Sequence, residues 1–128
     1  MEWPLYEKEN LIFGNQESNI GIITLWSPRN SIVEKLDQSS YSLIGQLYFS
    51  GGINFLLRNC LANKKIRYLV VTGQDLAKSA EALLALKNNG VDENHNIIGV
   101  SSSRIHKEIP REAIDNFRSN VEIVDMRR

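Results

Sequence analysis

Ile66-Arg67-Tyr68-Leu69-Val70-Val71-Thr72-Gly73 runs directly into Gln74-Asp75-Leu76, and Leu76, Ala80, Leu83, Leu84 and Lys87 then recur at helical spacing. The run from Tyr68 to Val71, opened by Ile66, is apolar and rich in β-branched residues without alternation. That pattern reads as a strand buried on both faces, the habit of central strands in a parallel sheet. The spacing after it predicts an amphipathic helix, with Asp75 as its N-cap and Asn88-Asn89-Gly90 as its stop. A buried strand leading straight into a helix is the repeating unit of an α/β domain.

Working outward, Ile20-Gly21-Ile22-Ile23-Thr24-Leu25-Trp26 repeats the two-sided apolar pattern and reads as a second central strand. Shorter strand candidates are Tyr41 to Phe49, Ile97 to Val100 and Val121 to Val124. Ile53, Leu56, Leu57, Cys60 and Leu61 fall on one helical stripe. Pro110 suits the first turn of a helix that carries Ala113, Ile114 and Phe117 inward. Asn30 or Ser27 can cap a shorter helix through Ile32, Val33 and Leu36. The alternation predicts one Rossmann-like α/β domain over residues 1–128, a three-layer, open, mostly parallel sheet of about five strands with helices on both faces.

The chain has 128 residues, 42% apolar and 23% charged, which is ordinary for one globular domain. Fifteen basic and fifteen acidic residues cancel, which argues against nucleic acid as a partner because phosphate binding needs a dense positive face. No stretch reaches the roughly 18 apolar residues of a membrane helix, and Met1-Glu2-Trp3-Pro4 does not open a signal peptide. One cysteine, Cys60, excludes an internal disulfide and fits a reducing compartment. The expected location is the cytoplasm, with no membrane partner.

Catalytic and cofactor motifs are absent. Gly45 and Gly51-Gly52 do not make the spaced glycines of a dinucleotide fingerprint, and no Gly-Lys pair opens a P-loop. One cysteine with His95 and His106 cannot build a zinc site alone; both histidines read as solvated loop residues, and Cys60 as core. Open α/β sheets bind ligands beyond the carboxyl ends of their strands. Four segments are expected to converge there: Trp26-Ser27-Pro28-Arg29, Phe49-Ser50-Gly51-Gly52, Thr72-Gly73-Gln74-Asp75 and Ser101-Ser102-Ser103. The candidate binding residues are therefore Trp26, Ser27, Ser50, Gly51, Gly52, Thr72, Gly73, Gln74, Asp75, Ser101 and Ser102. Hydroxyls, helix-start amides and an indole suit a small polar or anionic ligand. Each has a plainer reading: Gly51-Gly52 as relief of crowding, Asp75 as a cap, the serines as loop.

Landmarks in order along the chain carry a resemblance. They are Trp3-Pro4, Phe13-Gly14-Asn15-Gln16-Glu17-Ser18-Asn19, Gly52-Ile53, and Leu61-Ala62-Asn63-Lys64-Lys65-Ile66 running on to Gly73. Ala82-Leu83-Leu84-Ala85-Leu86, Asn89-Gly90-Val91-Asp92, Ile97-Ile98-Gly99, Glu108 to Ile114 and Val124-Asp125 follow. The series resembles the cytoplasmic domain of the corrinoid-carrying A-subunit of tetrahydromethanopterin S-methyltransferase, and is in that sense MtrA-like. It resembles more closely still the related domain found fused to thymidylate-synthase-like proteins.

The resemblance implies a Rossmann-like fold and, in the methyltransferase branch, a cobamide held by a histidine after the strand that ends at Gly73. Here Gln74-Asp75-Leu76-Ala77-Lys78-Ser79 holds no histidine, so that role transfers to no position, and no metal-binding or catalytic residue is expected. The leading expectation is a ligand-binding or docking domain serving one-carbon or nucleotide metabolism, not catalytic alone. Its ligand would be a pterin, folate, nucleotide or corrinoid, and a thymidylate-synthase-like domain its partner. Two alternatives stand beside it: a cobalamin-binding methyl carrier, and a structural domain that forms a homo-oligomer.

Overall fold

Ile20–Ile23 (β2) and Tyr68–Gly73 (β4) pair in parallel at the middle of the sheet, Ile20 opposite Tyr68 and Ile23 opposite Val71. The computed structural model describes residues 11–27, 33–101 and 103–127. Leu43–Gly45 (β3) flanks β2 and Glu122–Arg127 (β5) flanks β4, both in parallel. Ile12–Phe13 (β1) closes the far side of β3 and runs antiparallel to it. The order is β1-β3-β2-β4-β5. The three described α-helices are α1 (Ile53–Ala62), α2 (Ser79–Asn89) and α3 (Arg111–Asn120).

The chain steps one way from β2 to β3 and the other way from β3 to β4 to β5, so right-handed crossovers must put the two sets of connections on opposite faces. The burial follows that rule. Leu57 and Cys60 of α1, Leu83 and Leu86 of α2, and Ile114 and Phe117 of α3 share one core with Ile23, Leu69 and Val71. The alternate residues Ile22 and Ile44 turn to the other face, where Tyr41 is fully buried and Ile12, Ile20, Val33 and Val70 pack around them. Cover on that second face comes, among the described residues, from the segment 33–41, which contains the 3-10 turn Gln38–Ser40. The helix expected through Ile32, Val33 and Leu36 falls partly outside the described residues, as do Trp3-Pro4 and Pro28-Arg29.

The α/β class, the two central strands and the three helices follow the pattern of the sequence. α2 ends as expected, with Gly90 at φ 76 donating its amide back to Leu86. Its start lies later than the apolar spacing suggests: Leu76 precedes the helix and is 67% exposed.

The segment from Ile97 to Val100 is not a strand of the sheet. It folds back locally through isolated bridges, Val91 to Ile97 and Asn96 to Arg104, with Gly99 turning at φ 97. Ile98 lies 46% exposed, and the neighbour position beside β4 belongs to β5. The fifth strand is β1 instead. The long candidate Tyr41 to Phe49 is a strand only over Leu43–Gly45, because Ser42 and Thr24 bond at its two ends and the chain then leaves the sheet.

Candidate functional site

The change of direction between the β2–β3 and β3–β4 connections makes the carboxyl ends of β2 and β4 a topological switch point, the usual ligand crevice of such sheets. Two of the expected segments meet there. β2 ends in a tight turn in which the Ser27 amide donates to Thr24 O at 3.1 Å, and Leu25, fully buried, takes φ 55. A bulky residue in the left-handed region is a local strain that surrounding contacts must hold. Those contacts come from Gln46, whose Nε2 donates to Leu25 O (3.3 Å) and Ser27 O (3.1 Å).

The loop after β4 is stitched to this turn. The Trp26 amide donates to Gln74 O at 3.1 Å, and the Gln74 amide donates to Ser27 Oγ at 3.2 Å. Gly73, at φ 96, allows the approach: a Cβ there would sit 2.3 Å from Thr24 O and 2.7 Å from Ser27 Oγ. Thr72 turns its side chain to the opposite face with Val70, opposite Met126 of β5. Backbone therefore fills the space between the ends of β2 and β4.

Asp75 is committed to structure. Its carboxylate accepts from the amides of Ala80 (3.0 Å) and Glu81 (3.3 Å) at the start of α2, and pairs with Arg127 Nη1 at 3.2 Å. Arg127 spends its other nitrogens on Asp125, at 2.9 and 2.8 Å, and these bonds hold the Asp125 carboxyl below its ordinary range. The formal cap position is Lys78, in the left-handed region with no side-chain cap bond.

The third segment adjoins the first through aromatic rings. Trp26 Nε1 donates to Tyr48 O at 3.1 Å, and its ring meets those of Tyr48 (centroids 4.8 Å) and Phe49 (5.7 Å, interplanar 90°) edge to face. The Tyr48 hydroxyl donates to Gln46 Oε1 at 2.8 Å. Phe49 is 64% exposed. Beyond it, Ser50–Gly52 forms a 3-10 turn leading into α1, and a Cβ on Gly51 would meet nothing within 4 Å. The Ser79 hydroxyl donates to Leu47 O at 2.7 Å, tying the start of α2 to the exit of β3.

The fourth segment does not join this group by the expected route, since Ser101 follows a local turn and not a sheet strand. Ser103 is buried, its carbonyl accepting from the Ile97 amide, and Ser102 lies outside the described residues. Gln46 and Tyr48 escaped sequence reasoning as site residues because they read as strand, whereas Phe49 stood at the head of one expected segment without being named as a contact. The signal available was the consecutive pair Tyr48-Phe49 directly before Ser50-Gly51-Gly52.

The two histidines are occupied elsewhere. His95 Nε2 donates to Ile109 O at 2.8 Å. Arg58 Nη1 lies 3.0 Å from His106 Nδ1 and can only donate, so that nitrogen accepts and the ring's proton sits on Nε2. Among the described residues no group of three or more His, Cys, Asp and Glu is placed to hold a metal ion. Two partly open cavities flank the sheet. A cavity of about 100 Å³ between α1 and the sheet is apolar, lined by Gly21, Gly45, Gly52, Phe55, Leu56 and Cys60 among others. A second, of about 120 Å³, lies at the opposite end of the sheet beside Lys64, Arg67, Asn116 and Asn120. Burial pushes the Cys60 thiol, which faces both, up to about 12, so it is not a nucleophile at neutral pH.

Fold and site together define a Rossmann-like α/β domain with a stitched switch point and an exposed aromatic ledge beside it. The chain belongs to the MtrA family, that of the tetrahydromethanopterin S-methyltransferase A-subunit, whose family model matches residues 1–128. It is 32% identical over 130 residues to the second of the numbered A-subunits of this methyltransferase in Methanothermobacter thermautotrophicus, covering 98% of this chain and 69% of that protein. It is 31% identical to the A-subunit of a putative methyltransferase, Mtx, of Methanosarcina barkeri, covering 96% of this chain and 61% of that protein. For the tetrahydromethanopterin S-methyltransferase A-subunit of Methanosphaera stadtmanae the figures are 30% identity, 97% and 50%. The chain thus spans between half and about two-thirds of the length of these relatives. No helix among the described residues is long and apolar enough to cross a membrane.

Proposed function

We propose that residues 1–128 form one accessory ligand-binding domain of the MtrA family, serving one-carbon or nucleotide chemistry without supplying a cobalt ligand of its own. The observation that carries this reading is the state of the loop after β4. Gln74 is stitched to Trp26 and Ser27, and Asp75 is spent on α2 and Arg127. No residue from Gln74 to Ser79 offers an imidazole; His95 is bonded to Ile109 O and His106 lies against Arg58. The donor set therefore does not fit a protein-ligated corrinoid, and no step is routed through one. A ligand reaches the domain from the rim, at Trp26, Ser50 and Gly51. A methyl- or one-carbon-transferring partner, whether a thymidylate-synthase-like domain or a further protein of a methyltransferase complex, supplies the chemistry.

The test is a visible absorption spectrum after incubation with hydroxocobalamin and desalting, run beside thermal melts with a pterin, a folate and a pyrimidine nucleotide. The expected result is a colourless protein whose melting temperature rises with one of the other compounds, since a ligand that binds only the folded state raises stability. Gly51→Trp, which the open space over Gly51 accommodates, is expected to remove that rise with unchanged circular dichroism. A retained corrinoid spectrum would return the domain to the methyl carriers.

A further inference from the structure

We infer that the step formed by Trp26 and Phe49 is a stacking site for one flat nitrogen heterocycle of pterin or pyrimidine size. The inference rests on the accessory ligand-binding reading and names the chemistry of its ligand. Three features of the ledge carry it.

The first is shape. The two rings stand at 90° with centroids 5.7 Å apart. A flat ring stacked parallel on Phe49 stands at the same 90° to the indole, so stacking on one ring is compatible with edge-to-face contact with the other, the two geometries aromatic pairs prefer. Past Phe49 the backbone is bare at Gly51, with open space where a side chain would stand. A bulky ligand without a flat face would engage only one of the two rings.

The second is rigidity. Leu25 O and Ser27 O hold Gln46, Gln46 Oε1 holds the Tyr48 hydroxyl, and Tyr48 O holds the indole nitrogen. The wall is ordered before a ligand arrives, so binding does not carry the cost of immobilising it. The third is chemistry. Those polar groups are bonded within the chain and Asp75 is bound to α2 and Arg127, so among the described residues that build the ledge what is presented is ring faces. Phe49 is 64% exposed and Tyr48 43%, apolar area that a flat π-system covers.

The experiment uses Trp3→Phe protein, in which Trp26 is the sole tryptophan. Its fluorescence and melting temperature are followed with pterin-6-carboxylate, uridine monophosphate, inorganic phosphate and hydroxocobalamin. Saturable quenching by one of the two heterocycles, and none by phosphate, is the expected result. Stacking on one aromatic residue contributes about 1–3 kcal/mol, so Phe49→Ala should weaken binding by about fivefold to 150-fold, and Phe49→Leu nearly as much. Affinity unchanged in both variants would overturn the inference while leaving the accessory reading intact. Stabilisation by hydroxocobalamin alone would overturn it in favour of a corrinoid. Self-association that Phe49→Ala abolishes, without heterocycle binding, would overturn it in favour of a protein interface. No response to any compound would remove the accessory reading as well.

Discussion

The Trp26 amide donates to the Gln74 carbonyl at 3.1 Å, and through that bond the turn after β2 and the loop after β4 become one piece. The Gln74 amide returns a bond to Ser27 Oγ at 3.2 Å. In a sheet of this order those two loops border the usual crevice, and here they border each other. The bond leaves Trp26 at the rim, where its ring meets those of Tyr48 and Phe49.

The approach of the two loops depends on Gly73. At φ 96, with Thr24 O only 2.3 Å from where a Cβ would be, alanine brings both backbone strain and a clash with main chain. Gly73→Ala is expected to lower stability by about 3 kcal/mol in urea denaturation. Gly51→Ala, at open space and without a positive φ, is expected to be neutral or to gain up to about 1 kcal/mol. Equal effects at the two glycines would refute the stitched crevice.

Lys78 occupies the position before α2 at φ 58 without a side-chain cap bond. The left-handed conformation costs a residue with a Cβ about 1–2 kcal/mol, and glycine far less. Lys78 is exposed, so its side chain is not needed for packing. Lys78→Gly is expected to raise the melting temperature, with a gain of about 1 kcal/mol. A loss of stability would mean that the αL turn is not populated in solution.

Asp75 joins three elements, since its carboxylate meets the first amides of α2 and Arg127 of β5. Its side chain is only 10% exposed and that of Arg127 25%, so this pair is less screened than a surface ion pair. Asp75→Asn keeps part of the cap and is expected to cost about 1 kcal/mol; Asp75→Ala loses both functions and should cost about 2 kcal/mol. A double-mutant cycle with Arg127→Met isolates the pair. Additive losses would show that the carboxylate acts through the helix alone.

Much of this architecture was legible because its elements have one dominant signal each. The two-sided apolar runs at Ile20 to Ile23 and Tyr68 to Val71 have no helical alternative, and the stripes of α1 and α3 repeat through their whole length. Ile97 to Val100 carried the same apolar signal but buries only part of it, and its hydrogen bonds close locally. Periodicity cannot separate a short strand from a tucked loop. β1 was invisible for the converse reason, being two residues long. At the site, Asp75 read as the N-cap of α2; that position is Lys78, and Asp75 reaches the amides of Ala80 and Glu81 from three residues earlier. Leu76 read as core because it shares the spacing of α2, yet the left-handed Lys78 starts the helix after it. Trp26 and the segment led by Phe49 were expected at the crevice, but Tyr48 was hidden because it lies in a β-rich stretch. Only the shortness of β3 frees Tyr48 and Phe49 to face the rim.

Cys60 gives a pH dependence whose sign follows from its burial. Desolvation raises the thiol from 9.0 to about 12 in the folded chain, whereas in the unfolded chain it ionises near its ordinary value. Well below pH 9 both states hold the proton and Cys60 adds no slope. From about pH 9 upward the unfolded state loses a proton that the folded state keeps, so stability falls by about 1.4 kcal/mol per pH unit until the folded thiol itself titrates. Lysines and tyrosines also ionise in this range, so the quantity to measure is the difference between wild type and Cys60→Ala. The variant should lose about 1 kcal/mol at neutral pH through the removed sulfur, and its deficit should shrink and reverse between about pH 9 and about pH 11. The wild-type thiol should also resist alkylation at about pH 8 except at the rate at which the domain opens. A deficit that stays constant with pH, or prompt alkylation of folded protein, would show that Cys60 is open to water through one of the two cavities beside it.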